Sequence, residues 1–140
     1  MPAIVEGTVE YGDQRGRTLG FPTANIPILG NPELDGVWAG LVETGLVPFA
    51  VAAVSIGRRR TFYSGEGERL LEAHLLDTEQ ELYGQHLRVH LLERLRPQAA
   101  FPSVEALIEQ LHEDVEQTRR WAELNQPWLL SPIAGTSPAK

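Results

Sequence analysis

A chain of 140 residues, 42% hydrophobic and 22% charged, can bury one ordinary core without a disulfide or a structural metal. It has no cysteine, which excludes thiolate catalysis, disulfide scaffolds and Cys-ligated zinc or iron–sulfur clusters. Its one lysine is Lys140, which excludes a Walker-type phosphate loop and Schiff-base chemistry, and a net charge of −7 sets the chain as a whole against nucleic acid and anionic membrane.

From the N-terminus, Val5, Gly7 and Val9 alternate with Glu6, Thr8 and Glu10, the period of a half-buried strand. Met1–Glu6 lacks the basic start and apolar middle of a signal peptide, so a cytoplasmic protein is expected. Strand-like runs follow at Gly36–Glu43, Pro48–Ile56, Arg69–Asp77 and Leu82–Glu93. Turn signals separate them, at Tyr11–Asp13, Gly30–Pro32, Glu43–Gly45 and Ser64–Gly67. Five or six short strands with little helix between them argue for an antiparallel barrel or sandwich.

The pattern changes at Phe101. Ser103 is placed to cap a helix, with Glu105 in its first turn. Val104, Leu107, Leu111, Val115, Thr118 and Ala122 then recur at spacings of three and four, one face of an amphipathic helix that Asn125-Gln126-Pro127 ends. Residues 1–128 are expected to form a single domain and 129–140, rich in Ser, Pro, Gly and Ala, a flexible tail.

Four places carry chemistry-bearing residues. Gly12–Gly20 follows the first strand with Gly12, Gly16, Gly20, Arg15 and Arg17, a composition that suits an anion nest as well as a plain surface turn. Pro22 favours an extended Phe21, and in an extended segment Thr23 and Asn25 point to one side, two hard oxygen donors that could share a Mg²⁺ or simply form an Asx-type turn. Glu72 and His74 interrupt an otherwise apolar strand face; a carboxylate there could orient a hydroxyl and accept its proton, or merely meet solvent. Arg96 and Phe101 could frame a flat heterocycle or form a hinge leading into the helix. His86 and His90 share a strand face without a third ligand nearby and are expected on the surface.

Taken together, Gly16–Asn25 with its string Leu19-Gly20-Phe21-Pro22-Thr23-Ala24-Asn25, Gly36-Val37-Trp38-Ala39, Val54-Ser55-Ile56-Gly57, Thr61-Phe62, Leu71–Asp77, Leu82-Tyr83-Gly84, Leu95-Arg96, Phe101 and Asp114…Thr118-Arg119 resemble the riboflavin kinase (flavokinase) family. The likeness runs from about Gly7 to Arg119 and includes the kinase module of bacterial bifunctional riboflavin kinase/FMN adenylyltransferases. Arg59-Arg60-Thr61-Phe62 departs from it, since the family usually has a proline where this chain has Arg60.

The resemblance implies a mainly β fold, a six-stranded antiparallel barrel of Greek-key type with a long C-terminal helix. It implies transfer of the γ-phosphate of ATP to the 5′-hydroxyl of riboflavin, giving FMN and ADP. By the same likeness Glu72 is the catalytic carboxylate, and Thr23 and Asn25 ligate Mg²⁺. Gly12, Arg17, Thr23, Leu75, Asp77 and Tyr83 line the nucleotide, and Arg96 and Phe101 close over the flavin. The expected partners are small molecules only, with no nucleic acid, no membrane and a monomeric chain. The competing expectation is an idle flavin- or nucleotide-binding module serving as sensor or carrier.

Overall fold

The computed structural model describes residues 3–10, 22–28, 30, 32–45, 49–58, 69–77 and 82–125. Six strands are β1 (Ala3–Thr8), β2 (Ala24–Ile28), β3 (Gly36–Glu43), β4 (Ala50–Arg58), β5 (Arg69–Leu75) and β6 (His86–Arg96), and one helix, α1 (Val104–Asn125), follows them. All pairings are antiparallel, in the order β1-β6-β3-β4-β5-β2. β3, β4 and β5 form a meander and β6 returns to lie beside β3, the Greek-key arrangement the sequence implied. The sheet is nearly closed. At the seam, the Glu10 amide donates to the Asn25 carbonyl at 2.8 Å, and Gly7 lies against Ile26 so closely that a Cβ would collide with it.

β2 was legible only as an extended segment, because Pro27 weakens the strand pattern. It is tolerated because, among the described residues, β2 is laddered to β5 alone, its other side carrying just the Glu10–Asn25 bridge.

Strand alternation divides the wall into two faces. Ala24 and Ile26, Ala52, Val54 and Ile56, Leu71, Ala73 and Leu75, and Leu87, Val89 and Leu91 pack inside as one cluster. Truncating one of its fully buried aliphatics, such as Ile26, Ile56 or Leu71, costs about 2–5 kcal/mol. The alternate residues face outward. On the outer wall Leu41 and Val51 pack with Leu76 beneath Val115, Trp121 and Ala122 of α1.

Ser103 caps α1 as its position suggested: its Oγ accepts from the Ala106 amide at 3.1 Å. At the other end the Asn125 side chain donates to the Trp121 carbonyl at 2.8 Å. The buried stripe of α1 is Asp114, Thr118 and Ala122, while Leu107, Leu111 and Val115 are half-buried. Val104, expected on the packed face, is 43% exposed. Among the described residues no helix is long and apolar enough to cross a membrane.

Candidate active site

Register sets the centre of the site. Asn25 of β2 lies directly opposite Glu72 of β5, and Glu72 directly opposite Ser55 of β4. Directly paired residues of an antiparallel ladder share a face, with Cβ atoms about 4.5–5.5 Å apart. Their chain neighbours Ala24, Ile26, Leu71, Ala73, Val54 and Ile56 fill the interior, so the amide, carboxylate and hydroxyl form a row on the outside of the wall. α1 covers the same wall farther along, over Leu41 and Val51.

The extended segment leading into β2 is tied to this row. Thr23 Oγ1 donates to Asn25 Oδ1 at 3.2 Å, so the two oxygens sit side by side as the extended reading required. Asn25 is only 7% exposed. His74, two residues past Glu72 on the same outer face, has its Nδ1 at 2.8 Å from the Pro22 carbonyl. A carbonyl only accepts, so Nδ1 carries the proton and the imidazole holds the extended Pro22–Asn25 segment against β5.

Of the other nucleotide candidates, Leu75 and Asp77 lie at and just past the C-terminal end of β5, and Tyr83 precedes β6. Leu75 points into the core cluster, and Tyr83 is 49% exposed. Asp77 adopts φ 62°, a left-handed conformation that an aspartate tolerates. Its carboxylate accepts from Arg119 of α1 at 2.8 and 3.2 Å. That hydrogen bond holds the Asp77 carboxyl below its ordinary range and raises the Arg119 guanidinium. Gly12, Arg17 and the rest of 11–21, like Arg59 and Arg60, lie outside the described residues.

A second polar centre sits where β6 gives way to α1. Arg96 donates to both oxygens of Asp114, at 2.8 and 2.7 Å, and Gln110 adds a third donor to Asp114 Oδ1 at 2.9 Å. The Arg96 guanidinium lies over the Phe101 ring, 5.8 Å from its centroid. Between them, Gln98 reaches back across the wall and donates to Ser55 Oγ at 2.7 Å and to the Ile56 carbonyl at 2.9 Å.

A family model described as riboflavin kinase (flavokinase) matches residues 1–122. The chain belongs to the riboflavin kinase family. Relatives include the bifunctional riboflavin kinase/FMN adenylyltransferases of Escherichia coli (strain K12), 37% identical over 131 residues and 90% of this chain, and of Bacillus subtilis (strain 168), 36% identical over 125 residues and 86% of this chain. The chain spans 40% and 39% of the length of these two relatives. Among solved structures, a riboflavin kinase from Trypanosoma brucei aligns with TM-score 0.61 and 25% identity over 89% of this chain and 82% of its own length. A protein described as a macrolide-efflux protein from Streptococcus pneumoniae aligns with TM-score 0.74 and 38% identity over 86% of this chain and 39% of its own.

For a member of the riboflavin kinase family, the fold brings Thr23, Asn25 and Glu72 together and sets Arg96 and Phe101 against each other. Asp77 lies just past the C-terminal end of β5, towards which Thr23 and His74 also lie, and Tyr83 lies three residues before β6. Sequence reading did not single out Ser55, Gln98 or the buried Asp114 as site residues. Asp114 carried one available signal, an acid four residues from Gln110 and four from Thr118 along the packed stripe. On the outside of β6, His86 bonds to Glu6 of β1 and His90 to Glu43 of β3, as surface residues would. Among the described residues no group of three or more His, Asp or Glu side chains is arranged to hold a metal.

Proposed function

We propose that this chain is an ATP:riboflavin 5′-phosphotransferase that makes FMN and ADP. The observation that carries the reading is the facing pair of Asn25 and Glu72, with Thr23 Oγ1 against the Asn25 amide oxygen. Phosphoryl transfer asks little covalent chemistry of a protein; positioning and charge neutralisation supply most of the rate. The half-buried Glu72 carboxylate accepts the hydrogen bond of the acceptor hydroxyl, aims its oxygen and takes its proton as the P–O bond forms.

The Thr23–Asn25 pair fits Mg²⁺. Its oxygens are 3.2 Å apart, and an octahedral ion with ligands at about 2.0–2.1 Å sets neighbouring oxygens roughly 3 Å from each other. Two oxygens make too few ligands for an all-protein cage, which suits an ion whose other positions go to water and nucleotide phosphate. When bound, Mg²⁺ supplies the charge that offsets the nucleotide's phosphates. His74 keeps both oxygens in place through Pro22. Gly12, Arg17, Leu75, Asp77 and Tyr83 complete the nucleotide side, and Arg96 and Phe101 the flavin side. The enzyme acts on small molecules in the cytoplasm, as a monomer and apart from nucleic acid and membrane.

The test is a product assay with riboflavin, ATP and Mg²⁺, run beside Glu72→Gln and resolved by chromatography. The expected result is FMN from the parent and a loss of at least about 100-fold in the variant, the usual scale for removing a general base. Equal FMN from both removes Glu72 from the mechanism. Riboflavin binding with no FMN from either replaces the kinase with the sensor or carrier.

A further inference from the structure

We infer that Gln98 and Ser55 form a polyol subsite that reads the hydroxyls of the acceptor's side chain. The inference deepens the riboflavin kinase reading of Glu72 and rests on it. Ser55 is the next residue along the row from Glu72, on the same outer face. A polyol held with its terminal hydroxyl at Glu72 therefore runs its inner hydroxyls past Ser55 or past Asn25. Asn25 is buried and engaged with Thr23, whereas the Ser55–Gln98 side is the accessible one, with Gln98 exposed and Ser55 half-buried.

The pair is built into the wall. Gln98 Nε2 donates to Ser55 Oγ at 2.7 Å and to the Ile56 carbonyl at 2.9 Å, so the amide is held by a side chain and by a fixed backbone oxygen. The Gln98 stem lies across Gly57, where an added Cβ would come within 3.2–3.3 Å of it. A bare backbone at 57 is what lets a side chain from beyond β6 lie down over β4. The segment carrying Gln98 is fixed by Arg96 on Asp114 at one end and enters capped α1 at the other.

The chemistry of the pair matches vicinal hydroxyls. With both amide N–H groups spent on Ser55 and Ile56, the pair offers a ligand the serine O–H as donor and the Gln98 amide oxygen as acceptor. A run of alcohols needs such alternating partners and a plain alkyl chain needs none. An anchor whose only task was to hold the segment would be indifferent to the acceptor's inner hydroxyls.

The experiment compares riboflavin with an isoalloxazine bearing a 5-hydroxypentyl chain, which keeps the ring and terminal hydroxyl and lacks the inner three. Affinity is read by quenching of flavin fluorescence without ATP, and turnover separately with ATP and Mg²⁺. The parent should bind riboflavin about tenfold more tightly than the analogue, the scale of one or two exposed neutral hydrogen bonds. In Gln98→Met and Ser55→Ala that ratio should fall towards one, through weaker riboflavin binding with the analogue unchanged. Thermal melts establish that the variants fold. An unchanged ratio, an equal loss for both flavins, or a parent that does not discriminate overturns the subsite. Because the binding arm needs no phosphoryl transfer, discrimination without FMN formation would remove the kinase and leave the subsite standing.

Discussion

Replacing Asp114 with alanine removes a carboxylate that is only 4% exposed and accepts three hydrogen bonds, two from Arg96 and one from Gln110. Breaking a buried ion pair from one side typically costs about 3–5 kcal/mol, because the partner charge stays behind without compensation. The Arg96 side chain keeps 19% of its surface in solvent, so it can recover part of its hydration, and the expected loss is reduced to roughly 2–3 kcal/mol. Urea unfolding at pH 7 measures it, with an unchanged m-value confirming that both states keep their compactness. Arg96→Met should cost a similar amount, and the double variant Arg96→Met/Asp114→Ala should cost clearly less than the two added, by about 1–3 kcal/mol. If Asp114→Ala loses under about 0.5 kcal/mol, or the two variants simply add, the bidentate pair is not what fastens α1 to the end of β6.

Thr118 is fully buried and its hydroxyl has no hydrogen-bond partner among the described residues, so Thr118→Val, which keeps the shape, should stabilise the fold by about 1 kcal/mol in the same assay. Thr118→Ser keeps the hydroxyl and loses the methyl, and should destabilise. At Gly40 a Cβ would run into the His90 carbonyl of the neighbouring strand, so Gly40→Ala should cost about 1–3 kcal/mol, read as a lowered melting temperature. Arg119 lowers the Asp77 carboxyl below its ordinary 3.8, so the pair's contribution is present above that value and is lost as pH falls through the lowered one. The pair is exposed, worth at most about 1 kcal/mol, and the stability gap between the parent and Asp77→Asn should therefore close as pH falls below the ordinary carboxylate range and shrink in high salt.

The residues that were legible in the sequence are those whose placement is decided within a few positions. Thr23 and Asn25 are two apart in an extended segment and their side chains meet; Ser103 stands one residue before a run of helical period and caps it. What was not legible depends on partners distant in the chain. The burial of Asp114 makes sense only with Arg96, 18 residues earlier on another element. The row Asn25–Glu72–Ser55 needs two registers, and a slip of one residue in either would turn a member into the core. Gln98 sits in a stretch without periodicity, and its contacts lie 42 and 43 positions back.

Two faces of one strand answer to different demands here. Along β5, positions 71, 73 and 75 fill the interior, while 72 and 74 look outward beside Asn25 and Ser55. The first set is constrained by volume and the second by chemical identity. A mutational library can accordingly be split by parity. Exchanging aliphatics at positions 71, 73 and 75 tunes how firmly the molecule holds together, and varying 72 and 74 tests the roles proposed for the outward row. The two searches can run separately and be recombined, because the wall between them is a single sheet thick.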